Sequence, residues 1–136
     1  MDELVQFLRD RLDEDEQTAR AAAPGPWRQD EPERRDFVRS AGDGYVVDCS
    51  GSRTPRENAE HVARHDPARV LRDIEARRAL LAEHELVPSN QGALGCAVCV
   101  ATPSWGLEVV SGPCTTLRLL ASVHADHPDY REEWRP

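Results

Sequence analysis

A chain of 136 residues is the size of one domain closed around a single core. Its 25 acids against 17 bases give a formal charge of −8, a field that repels polyanions and argues against non-specific binding to DNA or anionic membranes. No apolar run approaches the roughly 18–20 residues that a membrane-crossing helix needs, and the opening MDELVQFLRDRLDEDE is charged throughout, unlike a signal peptide.

Residues 2–22 predict a first helix. Asp2 is its expected N-cap, Leu4, Val5, Leu8 and Leu12 fall at helical spacing with Phe7 on the flank, and Asp13 to Glu16 face solvent. Pro24 and Pro26 end it, Gly25 permits the turn, and Trp27 is expected to plug the space between this helix and a sheet. RDFVRS (35–40) and YVVDCS (45–50) read as short strands joined by the hairpin signal AGDG. TPRE (54–57) has the pattern of a capping box, with Thr54 as cap and Glu57 three residues on, opening a helix over 55–64. Pro67 then breaks the helix, and Asp66 is placed to cap a second one over 67–84, with Val70, Leu71, Ile74 and Leu81 as its stripe and His84 at its end. Residues 85–113, with the polar run VPSNQGALG, read as a long loop. A further helix follows Cys114, carrying Leu117, Leu120, Ala121 and His124. DYREEW then makes a last turn docked by Tyr130 and Trp134. Together these elements predict a single domain over 1–136 of the α+β class: an N-terminal helix, a short antiparallel sheet and a helical C-terminal half with a zinc knuckle.

The knuckle is the one site the spacing suggests. Cys96 and Cys99 form a C-x2-C turn, which presents two thiolates at tetrahedral spacing, and Cys114 follows at the start of a helix. The expected compartment is the cytoplasm, where clustered cysteines are metal ligands or free thiols rather than disulfides. For a fourth ligand, His124 and His127 are discounted because a helix from 114 to 124 rises about 15 Å. His84 stands at a helix end just before the loop that carries the knuckle, and Cys49 is the alternative if its strand lies beside it. The favoured reading is a structural Zn2+ site of His84, Cys96, Cys99 and Cys114 that fastens the 85–113 segment. Three reduced buried thiols, or a C-x2-C redox pair, are the competing accounts, the latter lacking a strand-then-helix setting.

His61 and His65, in HVARH, have the i, i+4 spacing that can bind a metal from one helix face, but Val62 stands where the zincin motif requires Glu. A helix-end histidine favoured by the dipole is the ordinary account. The chain has no P-loop, no G-x-G-x-x-G and no G-x-S-x-G.

The strings LVQFLRDRLDEDEQTARAAAPGPW, AEHVARHDPARVLRDIEARRALLAEH, the C-x2-C, PCTTLRLLA and DHPDYREEWRP resemble a family of short uncharacterised actinobacterial and actinophage proteins that form a domain of unknown function. The resemblance covers nearly the whole chain. It implies no activity, and it implies the ligand set His84, Cys96, Cys99 and Cys114 over Cys49. Ala23 stands where that family often has Thr. A looser likeness, limited to PGPW and AEHVARHDPARVL, is to Ead-type accessory proteins of temperate phages. The functional expectation is a non-enzymatic, zinc-stabilised accessory protein whose partner is another protein, binding neither nucleic acid nor membrane directly. The alternatives are a metal-dependent enzyme using His61 and His65, or an acidic DNA mimic.

Overall fold

The computed structural model describes residues 2–30, 32–42, 44–89, 92–101, 106 and 108–136. The elements run α1 (Glu3–Ala21), β1 (Arg28–Asp30), β2 (Arg34–Arg39), β3 (Tyr45–Asp48), α2 (Pro55–Arg64), α3 (Pro67–Glu83), β4 (Leu86–Pro88), β5 (Leu94–Ala101), β6 (Glu108–Ser111), α4 (Thr115–Ser122) and a closing 3-10 turn (Glu132–Trp134). This is the expected α+β class, with two small antiparallel sheets. The chain divides into two compact units, residues 13–75 and residues 1–12 with 76–136.

In the 13–75 unit the expected hairpin forms. β2 and β3 pair with Phe37 opposite Asp48 and Val38 opposite Val47, and the Ser40 N–H donates to the Gly44 carbonyl (2.9 Å) across the turn. β1, which the pattern did not reveal, adds an outer strand with Gln29 opposite Val38. A three-residue strand is too short to display alternation. The Gln29 amide donates to the carbonyls of Arg35 (2.8 Å) and Arg56 (3.0 Å), tying β1 to β2 and to α2. α2 packs across β1 and β2, burying Ala59, while Val38 is fully enclosed and contributes about 1.5–3 kcal/mol by burial.

The break at His65–Asp66–Pro67 is built as expected. The Asp66 carboxylate accepts the Arg69 N–H (2.8 Å) as the cap of α3, and its other oxygen accepts the Trp27 N–H (2.9 Å). Gly25 is required beside it, because a Cβ there would lie 2.8 Å from both Ala68 Cβ and Asp66 Oδ2. Trp27 is half-buried, and its indole N–H donates to the Ala23 carbonyl (2.8 Å). The capping box is not formed: Thr54 precedes α2 without a side-chain cap, and its hydroxyl instead meets Asn58 Oδ1 at 3.3 Å. Local hydrogen bonding among Ser52, Thr54 and Asn58 competes successfully for that hydroxyl.

In the other unit the predicted stripe of α1 is the core. Leu4, Val5, Phe7 and Leu8 pack with Leu81, Leu117, Ala121, Trp134 and the thiols of Cys96 and Cys114. Asp2 caps the helix through the N–H groups of Leu4 (2.9 Å) and Val5 (3.3 Å). Within 85–113, expected as a long loop, the described residues form a three-stranded sheet in the order β4-β5-β6, a correction to the sequence reading. Leu86 and Val87 pair with Cys96 and Gly95. Of the polar run, the Ser89 N–H donates to the Ala93 carbonyl (2.9 Å), and Gly92 stands at φ +79°, where glycine is favoured.

The chain's end docks as expected. Trp134 is buried, and the Phe7 ring centroid lies 5.0 Å from the Trp134 ring, 5.7 Å from His127 and 6.1 Å from His124. The Arg118 guanidinium donates to the carbonyls of Pro113 (3.1 Å) and Glu133 (2.8 Å), and Arg131 pairs with both oxygens of Glu3. Arg11 is 8% exposed and hydrogen-bonded to His127; nothing in the helical pattern marked it for burial.

Candidate metal centre

Four side chains from three pieces of structure converge: the end of α3, the knuckle on β5 and the start of α4. His84 follows α3, its N–H donating to the Leu80 carbonyl (3.0 Å) as the last turn of helix closes. β4 begins two residues later, and because Leu86 is paired with Cys96, the first knuckle cysteine is returned to the end of the helix. The Ala97 N–H on the Glu85 carbonyl (2.9 Å) extends that pairing. Between Gly95, opposite Ser111, and Val100, opposite Val109, β5 carries extra residues that its partner lacks. That excess is the Cys96–Cys99 turn, raised out of the ladder as a bulge. β6 then leads through Gly112 and Pro113 to Cys114, which stands at the N-cap of α4 with extended backbone (φ −72°, ψ 168°). Gly112 has no room for a side chain, since a Cβ would run into Leu86, only 3.3 Å from its Cγ.

The His84 Nδ1 lies 3.3 Å from the Sγ of Cys96, 3.5 Å from that of Cys99 and 3.6 Å from that of Cys114. The four ligand atoms all lie within 4.8 Å of one another, close enough to hold one metal ion. Cys96 and Cys114 are buried, and Cys99 and His84 half-buried. One imidazole nitrogen offers a single lone pair, so three sulfurs around it cannot all be satisfied by S–H bonds to it.

The thiols are driven apart electrostatically. Burial opposes ionisation of Cys96, but the N–H groups of Val98 and Cys99, with His84 and the Cys99 thiol, outweigh it and bring the thiol down to about 7. Burial pushes Cys99 up to about 12, reinforced by its hydrogen bonds to Cys96 and Cys114 and by their charge. The knuckle's own amides therefore favour one thiolate, and a second and third negative charge need a cation among them.

Among the described residues this is the single group of three or more potential ligands with such convergence. Cys49 does not belong to it. It is a half-buried free thiol after β3, its N–H donating to the Asp36 carbonyl (2.8 Å). His124 and His127 do not belong either: they follow α4, which starts at its Cys114 cap and ends at Ser122, and both rings turn to Phe7. His61 and His65 are exposed, with ring centroids 4.3 Å apart.

The model of a family of unknown function, DUF6221, matches residues 1–136, and the chain belongs to that family. No curated protein and no solved structure matches it. Among the described residues, no helix is long and apolar enough to cross a membrane.

Proposed function

We propose that this member of the family is a zinc-stabilised accessory protein that acts by binding another protein, with His84, Cys96, Cys99 and Cys114 as a closed structural centre. The observation that carries the reading is the trio of N···S distances, 3.3, 3.5 and 3.6 Å. A tetrahedron with Zn–S of about 2.3 Å and Zn–N of about 2.0–2.1 Å has N···S edges of about 3.6 Å. Three thiolates and one imidazole suit Zn2+, and the charge-separated thiols gain from it. Four protein ligands leave no position for an activated water, so the centre is structural rather than catalytic.

A protein partner is supported by apolar side chains left open in the same unit. Leu94 is 42% and Val98 47% exposed on the strand that carries the knuckle, and Leu119 and Val123 are exposed an i, i+4 step apart at α4. The charge of −8 disfavours nucleic acid as that partner, and three reduced thiols suit the cytoplasm. The accessory role is an expectation from the looser resemblance of PGPW and AEHVARHDPARVL to Ead-type phage accessory proteins.

Native mass spectrometry of protein purified without chelator tests the centre. One zinc per chain, lost in Cys96→Ser and His84→Ala, is the expected result; a folded chain carrying no metal overturns it. Affinity capture from host extract with and without nuclease tests the partner class. Capture that survives nuclease supports a protein, and capture abolished by it overturns that choice.

A further inference from the structure

We propose that His61 and His65 form a second, exchangeable site for a late first-row divalent cation (Ni2+, Cu2+ or Zn2+), separate from the Cys/His centre and not dependent on its role. His61 lies in the last turn of α2 and His65 is its C-cap. An i, i+4 separation puts both imidazoles on one face. Both are exposed, with ring centroids 4.3 Å apart and planes tilted by 34°, so a small rotation brings one nitrogen of each to a common ion.

One of the two rings is already set in a ligand's tautomer. His65 Nδ1 lies 2.8 Å from the His61 carbonyl oxygen. That oxygen only accepts, so Nδ1 carries a proton, and in the neutral ring the lone pair is the one on Nε2. A backbone carbonyl on the other ring nitrogen is the arrangement that orients metal-ligating histidines generally. The pair also sits at a helix C-terminus, where the dipole favours a cation. The guanidinium of Arg64, adjacent in sequence, is ion-paired with Glu60 at 2.6 Å. Imidazole donors without thiolates favour this part of the first-row series. Two protein ligands leave the other positions to water, which makes the ion exchangeable. Val62, where a zincin has its glutamate, leaves the pair without a general base.

Titration of the purified, zinc-loaded protein with Ni2+, followed by calorimetry and native mass spectrometry, decides the matter. The expected result is one Ni2+ taken up beyond the zinc. His61→Ala and His65→Ala should each weaken that uptake at least about tenfold, with zinc content and thermal midpoint unchanged, because both side chains are exposed. Uptake of undiminished strength in the double variant, or nickel that merely displaces zinc one for one, overturns the proposal. If the purified chain carries no zinc, the Cys/His reading fails, and the two alanine variants still decide this one.

Discussion

The two compact units solve the same problem with different materials. Residues 13–75 bury few apolar side chains, Ala19, Val38, Ala59 and Ile74 among them, and are tied by polar groups that bridge elements. Asp66 holds Trp27 and caps α3, and Gln29 joins β1, β2 and α2. Residues 1–12 with 76–136 have the larger core, yet they alone, among the described residues, gather a candidate metal group. The difference lies in chain connectivity. The first unit is one contiguous stretch, its own ties reaching from Gln29 to Arg56 and from Trp27 to Asp66. The second closes segments as far apart as Glu3 and Arg131, and its β5–β6 ladder is interrupted at the knuckle. Loop-closure entropy rises with separation, and a metal that joins residues 84 to 114 offsets it where a short ladder does not.

The strongest way to break this comparison is to remove a ligand. Cys114→Ser should abolish metal uptake and sharply lower, without removing, the amide-exchange protection of β4–β6 and α4, since structural zinc contributes about 10–16 kcal/mol of binding free energy in small zinc modules. Protection in β2, β3 and α2 should persist; loss across both regions would show that the units are not separately held. The matching experiment in the other unit is Asp66→Ala. It removes a cap and leaves the Trp27 amide without its acceptor, costing about 2–4 kcal/mol in denaturant unfolding, with metal content unchanged.

A milder change sharpens the geometry of the centre. Gly112→Ala must displace Leu86, the residue paired with Cys96, and should cost about 1–3 kcal/mol by overpacking and weaken metal retention, measured by competition with a chelator. Titration separates the thiols. In metal-free protein, Cys96 ionises earlier folded than unfolded, so stability rises with pH between about 7 and 9.0. Cys99 holds its proton longer folded, so stability falls from 9.0 toward about 12. Thermal midpoints against pH should show that maximum without metal and flatten when zinc holds all three thiolates. The smallest effect belongs to Thr54→Ala, which lacks a cap bond to lose and should cost less than about 0.5 kcal/mol.

What the chain makes legible by itself is local. The stripe Leu4, Val5, Leu8 and Leu12, the caps at Asp2 and Asp66, the break before Pro67 and the C-x2-C spacing all depend on neighbours within one helical turn or one tight turn, and each appears where its pattern puts it. The spacing also favours the set His84, Cys96, Cys99 and Cys114, whose ligand atoms the structure brings within 4.8 Å of one another. Tertiary structure decided the rest. β1, β4 and β6 carry no turn-bounded apolar pattern of the kind that marked β2 and β3, so their pairing is decided by their partners. Arg11 is buried because distant residues enclose it and His127 accepts from it. Thr54 fits a cap pattern yet finds another partner. His84 and the thiols meet because a β-hairpin returns Cys96 to the end of α3, a non-local pairing whose register is set by contacts that no single segment contains.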